Sequence, residues 1–494
     1  MSTTESQTIF ATAKTVELDP ELVTHPLVRT GPPAAGSWTT EDTVTGLSLI
    51  LQQALQENEG APRVTVEMLD QMIDLVDQRL TVQLDEVLHD PTFQAAESAW
   101  RGLRFLVDRT KFDGQNKNII AVLDATKQEL QDDFFDGTGA RSKKLYKAVF
   151  QEEFAQFGGE PIGAILGNYT FGPSTPDVAL MEKLADVAEM AHAPFIAAAG
   201  PTFWGKDSYT DLPKLATLEI KDQPRWQAFR ESRNSNYVGL TMPRFLLRHP
   251  YDPVENPIRS FRYRERVEAS HEHYLWGNAA YAFGTRLTES FSNYGWCPYI
   301  IGPQAGGTVA RLPVHMYESM GDKEAKPPTE ILIPMTTLTE LSNEGFIPLV
   351  HRKGAADAVF FYANSVQKAK FFGDTPEGRT AETNYKLGTQ LPYMFLVCRL
   401  AHHISVFQRE QLGRNMTKQV MQKNLQTWVA QYISEMAEPD AHVQGQRPFR
   451  AIKIMVNDVP GDPGWYNVSM MLMPHIKFQG AFFELSLVGN IEPK

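Results

Sequence analysis

Between residues 115 and 390 the sequence alternates apolar runs with helix-like segments, and this alternation restricts the fold more than any other feature. NIIAVLD is followed by ATKQELQDDFF, and PIGAILGNYTFG is followed by PDVALMEKLADVAEMA and then PFIAAAG. Runs that are apolar throughout are typical of strands covered on both faces, as in a sheet between helical layers. We therefore predict a mixed α/β (α+β) middle region with buried strands.

The length and composition indicate a globular chain built from several structural units. Its 494 residues exceed what one hydrophobic core usually organises, and 42% of them are hydrophobic while 21% are charged. The start, MSTTESQTIFATAKTVELDPELV, lacks the basic and apolar regions of a secretory signal. No apolar run reaches the roughly 18 residues of a spanning helix, so membrane insertion is not expected. With two cysteines, Cys297 and Cys398, the chain fits a reducing cytoplasm.

The net charge argues against a nucleic-acid partner. It is −12 at pH 7, and the basic stretches RSKKLYK and RSFRYRER are short and isolated. Nucleic-acid binders usually carry a continuous basic stripe that attracts phosphates. We therefore expect no nucleic acid among the partners.

The N-terminal part of the chain divides into two stretches. Residues 1–60 combine turn formers with scattered apolar residues, which predicts an extended or disordered N-terminal arm. Residues 61–114 show helical periodicity. Within them one apolar stripe recurs at helical spacing, and we predict that it is buried core: Phe93, Ala96, Trp100, Leu103 and Val107.

Residues 391–494 are predicted to form a C-terminal domain in which two long helices precede the strands. Two long amphipathic helices, PYMFLVCRLAHHISVFQREQLG and KQVMQKNLQTWVAQYISEM, precede strand-like segments. The last segment alternates, with Phe483, Leu485 and Leu487 facing one way and Glu484 and Ser486 the other. An exposed strand edge can pair with another chain, so we predict an exchangeable strand at the subunit interface. Its residues are Phe482, Phe483, Glu484, Leu485, Ser486, Leu487 and Val488.

Motifs for catalysis are weak. Gly200, Gly205 and Lys206 have the spacing of a phosphate-binding loop, but Pro201, Phe203 and Trp204 fill its interior and Asp207 replaces the hydroxyl. This favours a strand followed by an aromatic-anchored turn. His271 and His273 are considered as a metal site. On a helix the two side chains would point in different directions, and on a strand they would share a face but no third ligand is evident nearby. We expect no catalytic residue, cofactor or metal, and an α/β enzyme using either site remains the alternative.

Several stretches together resemble one known family, the large subunit (TssC/VipB) of the type VI secretion contractile sheath. The resemblance covers residues 60–494, and its blocks occur in the family's order. The blocks are FQAAESAWRGLRFLVDRT, PIGAILGNYTFG, AEMAHAPFIAAAGPTFWG, RESRNSNYVGLTMPRFLLRHPY, LVCRLAHHISVFQREQLG and GDPGWYNVSMMLMPHIKFQG. The phosphate-loop-like segment lies inside one of them.

The resemblance implies a structural protein of the bacterial cytoplasm. Such subunits pair with a small sheath subunit (TssB/VipA family) and stack with neighbouring copies around a tube of Hcp rings. The sheath grows from a baseplate and contracts, and a ClpV-type AAA+ ATPase disassembles it. The C-terminal domain is similar to phage tail sheath proteins, so a sheath of another contractile system is a second alternative. Without a nucleotide site, contraction would release energy stored in the extended lattice.

Overall fold

The computed structural model divides the chain into two units. It describes residues 66–138, 142–215, 217–220, 223–259, 261–319, 322–411, 417–434, 436, 439–458, 466–475 and 485–490. The smaller unit consists of Met1–Glu97 and Arg248–Leu275, and the main unit of Ser98–Leu247 and Trp276–Lys494. The predicted boundaries at residues 60, 114 and 390 stay predictions. Among the described helices, none combines the length and apolar character needed to span a membrane.

Among the described residues, four helices precede the first strand of the chain and the others lie between strands. The helices are α1 (Val66–Leu88), α2 (Pro91–Asp108), α3 (Lys127–Phe135), α4 (Lys144–Tyr146, continued by a π-helix over Lys147–Phe154), α5 (Thr175–Ala191), α6 (Pro224–Glu231), α7 (Ala279–Tyr294), α8 (Met335–Asn343), α9 (Pro376–Gly388), α10 (Leu391–Gln411), α11 (Lys418–Ala430) and α12 (Ala441–Gln446).

Among the described residues, the strands form a large mixed sheet, a C-terminal sheet and two antiparallel two-stranded sheets. They are β1 (Ile165–Phe171), β2 (Phe195–Ala199), β3 (Val238–Met242), β4 (Phe245–Leu246), β5 (Trp276–Gly277), β6 (Thr308–Val309), β7 (His315–Ser319), β8 (Asp322–Lys326), β9 (Phe346–His351), β10 (Ala358–Phe360), β11 (Phe449–Asp458), β12 (Tyr466–Pro474) and β13 (Leu485–Asn490).

The large sheet has the order β1-β2-β3-β9-β10-β6. β1, β2, β3 and β9 run parallel, whereas β10 is antiparallel to both β9 and β6. All residues of β2 and β3 are buried, because α5 and α7 pack on this part of the sheet. The prediction of an α/β fold with buried, continuously apolar strands is confirmed.

One predicted strand is not formed. Residues 118–124 (NIIAVLD) are assigned neither helix nor strand, and Ile119 is 72% exposed. β-branched composition favours a strand only where a neighbouring strand and a covering layer are present. The described residues supply neither along this run.

The C-terminal part of the main unit is a small antiparallel sheet packed on helices. Its order is β11-β12-β13, and α11 packs on β11. A second hydrophobic cluster joins α10 and α11 to this sheet through Leu400, Leu425, Phe449 and Met470. The two predicted amphipathic helices correspond to α10 and α11.

The predicted core stripe on α2 lies on the surface of the chain. Trp100 is 73% exposed, Phe93, Ala96 and Val107 are exposed, and Leu103 is half-buried. The buried side of this helix consists instead of Gly102, Phe105 and Leu106. The prediction was therefore wrong in its choice of face. Helical spacing identifies an apolar stripe, but α2 has two such stripes and only packing decides which one is buried.

Candidate assembly surfaces

The edges of the C-terminal sheet are the first candidate surface. β13 pairs with β12 from Leu472↔Leu485 to Asn467↔Asn490 and is the outermost strand on that side. On the opposite side, β11 pairs beyond the sheet only at the parallel bridge Ile433↔Phe449 within the described residues. A strand with one paired edge can accept a further strand along the other.

Part of the predicted exchangeable strand lies in β13. Leu485, Ser486, Leu487 and Val488 belong to it and pair within the same chain, while 482–484 lie outside the described residues. Its role at a subunit interface stays a prediction.

An aromatic cluster fixes this sheet to the rest of the main unit. The Trp296 ring is buried and lies 5.1 Å from the ring of Tyr432 and 5.6 Å from that of Phe449. The Arg399 guanidinium lies over the rings of Phe291 (4.6 Å) and Trp296 (5.5 Å). Burial lowers the pKa of Arg399, and the two ring faces offset part of that cost for its cation. These contacts hold α10 to the end of α7.

The exposed apolar face of α1 is the second candidate surface. Ile73 (56% exposed), Val76 and Leu80 (45% exposed) recur at spacings of three and four residues, which places them on one side of the helix. The neighbouring exposed residues include Asp74 and Arg79. A helix this amphipathic is usually stable only when its apolar face is covered. The face therefore fits a partner helix.

A buried charge network anchors the C-terminal end of α1 within the smaller unit. Arg248 Nε lies 2.9 Å from Glu97 Oε1, and Arg248 Nη1 lies 2.5 Å from Glu265 Oε2. Burial alone would raise the pKa of Glu265, but the nearby His89 ring (Nε2 3.5 Å from Oε1) and the hydrogen bonds from Arg248 lower it to about 2. Tyr263 donates a hydrogen bond to Asp85 Oδ1 at 2.7 Å. The network fixes the helix end, while the Ile73–Leu80 face stays exposed.

The third candidate surface is the exposed stripe of α2. Its largest members in the main unit are Trp100 and Val107. Exposed tryptophan is uncommon on a monomer surface and is enriched where binding energy is concentrated. This stripe, predicted from the sequence as core, is therefore an interaction surface candidate.

The phosphate-loop-like segment is a structural turn. After β2, Pro201–Trp204 forms a 3₁₀ helix that ends at Gly205 in the left-handed region (φ 65°). Phe203 is buried, and Trp204 donates from Nε1 to the Leu218 carbonyl at 2.8 Å. The rings of Phe203 and Trp204 occupy the space in which a phosphate-binding loop would present unpaired backbone N–H groups to the phosphate. The interpretation as an aromatic-anchored turn is confirmed.

Three histidines, His273, His402 and His403, make packing contacts. His271–His273 form a 3₁₀ turn in which the His273 ring stacks on that of His89 at 4.0 Å. His402 is buried, with Nε2 2.9 Å from the Ala191 carbonyl, and His403 packs on Trp428. Burial is the main cause that lowers the pKa of both His402 and His403 to about 4. These rings are therefore neutral at pH 7.

Comparison with known proteins identifies the family of the chain. The family model VipB, described as the EvpB tail sheath N-terminal domain, matches residues 70–367. A second model, the tail sheath gpW/gp25-like domain, matches residues 380–491. The chain is 36% identical to the type VI secretion system sheath protein TssC1 of Pseudomonas aeruginosa over 489 residues, which covers 93% of this chain and 97% of the relative.

The fold and these matches define a tail sheath protein. More particularly, the chain belongs to the TssC/VipB family of type VI secretion sheath proteins. It is a structural protein and not an enzyme.

Proposed function

We propose that this chain is the large sheath subunit that pairs with a small sheath subunit (TssB/VipA family) and polymerises with copies of itself around an Hcp tube. The observation that carries the proposal is the C-terminal sheet, in which the outermost strand β13 pairs with β12 along one edge and with no other strand of the described residues along its second edge. In a helical assembly such an edge links one subunit to the next.

Strand exchange explains how a sheath can shorten without falling apart. Backbone hydrogen bonds between strands of different subunits can stay formed while the folded bodies of those subunits rotate. The segment Phe482–Val488 would supply the linking strand, and the predicted N-terminal arm (residues 1–60) could cross to another subunit. The energy of contraction then comes from a metastable lattice that switches to better interfaces.

The small subunit would contact the exposed faces of α1 and α2. Ile73, Val76 and Leu80 present a stripe suited to a partner helix, and Trp100 supplies a large exposed ring on α2. Covering such faces contributes about 25 cal/mol per Å² of apolar surface.

Growth of this sheath from a baseplate in the bacterial cytoplasm, and recycling by a ClpV-type AAA+ ATPase, complete the proposed role. The contracting sheath would drive the Hcp tube into a target cell.

The test is co-expression of the full chain with the small subunit of the same system, followed by gel filtration and electron microscopy. A soluble heterodimer that assembles into hollow tubes is the expected result. Monomeric chain that neither co-purifies with the small subunit nor forms tubes would overturn the proposal.

A further inference from the structure

The run Asn118–Asp124 has the composition of an interior strand but lies on the surface. Ile119 is 72% exposed and Val122 is 67% exposed, and Leu123 is also exposed. In an extended conformation, both faces of this run would carry apolar side chains, as both faces of the fully buried β2 do. We propose that this run receives a β-strand from another polypeptide and becomes a strand only in the assembly.

The run is held at both ends. The Asn118 side-chain Nδ2 donates to Ser292 Oγ (2.7 Å) and to the Thr288 carbonyl (3.2 Å) on α7. At the other end, Tyr169 of β1 donates its hydroxyl hydrogen to the Ala125 carbonyl at 2.7 Å. Fixed ends reduce the conformational entropy that the run loses when a strand pairs with it.

The backbone between these anchors is available for pairing. Among the described residues, no backbone–backbone hydrogen bond involves 118–125. The neighbouring edge strand β1 is less suited, because the Gly167 and Tyr169 carbonyls already lie 3.4 and 3.3 Å from Asn278 Nδ2. Backbone groups that are left open beside exposed apolar side chains are the basis of strand addition.

The chemistry of the run specifies its partner strand. Residues on both faces are apolar, so the incoming strand must bring apolar side chains and a covering layer. Lys117 before the run and Asp124 at its end are both exposed. An antiparallel strand with an acidic residue opposite Lys117 and a basic residue opposite Asp124 would match these charges.

The partner is a different polypeptide and not a second copy. Two copies of this run could pair antiparallel with Lys117 opposite Asp124, but that pairing is two-fold symmetric and closes on itself. A sheath lattice needs contacts that propagate. This assignment rests on the proposed function, which supplies the small sheath subunit as the partner.

Amide hydrogen exchange on the full chain, alone and with the small subunit, tests the strand directly. Amides of 119–124 should exchange rapidly in the chain alone and at least about 100-fold more slowly in the complex. Ala121→Pro removes one backbone donor and should weaken small-subunit binding at least about tenfold, while the melting temperature of the chain stays unchanged. Ala121→Ser keeps the donor and should bind normally.

Two lysine substitutions test the side chains of the run. Val122→Lys should also weaken binding, whereas Val254→Lys, at a still more exposed valine of the smaller unit, should not.

The outcomes separate the inference from the proposed function. If complex and tubes form but 119–124 still exchange rapidly, or Ala121→Pro binds normally, the strand addition is wrong and the sheath role stands. Protection that grows with the concentration of the chain alone would assign the run to a second copy and overturn the small subunit as its partner. If the wild-type chain forms no complex, both the sheath role and the strand addition fail.

Discussion

The ring of Tyr281 lies directly against the backbone of Gly102, where an added Cβ would come within 2.5 Å of Tyr281 Cδ2. This contact between α7 and α2 fixes which side of α2 faces the core. Phe105 and Leu106 follow on the same side and are buried, so Trp100 is left on the outer face.

Gly102→Ala should destabilise the chain although alanine is the better helix former. The methyl group would overpack against Tyr281 and cost about 1–3 kcal/mol, which exceeds the helix-propensity gain of about 1 kcal/mol. Denaturant unfolding measures the difference. The matched control is Gly163→Ala, since nothing lies within 4 Å of a Cβ at Gly163. Equal stability of the two variants would show that Tyr281 moves aside without cost.

Trp100→Ala should leave the stability of the isolated chain nearly unchanged, because the ring is 73% exposed. Exposed substitutions usually change the free energy of unfolding by no more than about 0.5 kcal/mol. Binding of sheath partners should weaken instead, as measured by co-purification with the small subunit. The control is Phe105→Ala, a buried ring on the same helix, expected to cost about 3–5 kcal/mol. A large loss of stability in Trp100→Ala alone would return Trp100 to the core.

The stability of the chain should fall between about pH 6.5 and pH 4 because His192, His402 and His403 are buried as neutral rings. The pKa of each is lowered to about 4, mainly by burial, so the unfolded chain binds more protons in this range. Stability from these groups is complete above the unfolded pKa, is lost as pH falls, and stops changing below about pH 4.

His402→Gln measures one part of this dependence. The slope of unfolding free energy against pH should decrease by up to about 1.4 kcal/mol per pH unit within that window. His249→Gln, at an exposed histidine, should leave the slope unchanged. An unchanged slope in both variants would mean that His402 titrates normally in the folded chain.

Leu485→Asp should abolish long tubes more readily than it abolishes heterodimers. The alternating pattern predicts that Leu485 faces an apolar layer, and an unpaired buried carboxylate costs several kcal/mol. In a lattice this cost recurs at every subunit. Gel filtration and electron microscopy of the co-expressed pair measure heterodimers and tubes separately.

Ser486→Asp is the control for this strand, because the same alternation turns Ser486 to the other face. Tubes of normal length in Leu485→Asp would remove β13 from the subunit linkage. Loss of all soluble protein would instead place it in the core of the chain.

The sequence by itself determined the local elements whose signals are short-range. The apolar runs PIGAILGNYTFG and PFIAAAG predicted β1 and β2, and helical periodicity predicted α10 and α11. The residue types of Pro201–Trp204 were enough to predict a turn in place of a phosphate loop. Six blocks of sequence in the right order also identified the sheath family, which the comparisons confirm.

The tertiary structure decided which apolar surfaces are covered. The sequence predicted Trp100 in the core and NIIAVLD as a strand, and both predictions were wrong. Their outcome depended on contacts with residues that are far away in the chain. Periodicity reports that a helix has an apolar side, but the fit of Tyr281 on Gly102 selects which side packs. A run such as Asn118–Asp124 needs a paired neighbouring strand to become a strand itself. Whether its side chains are buried therefore depends on that neighbour as well as on the run's own sequence.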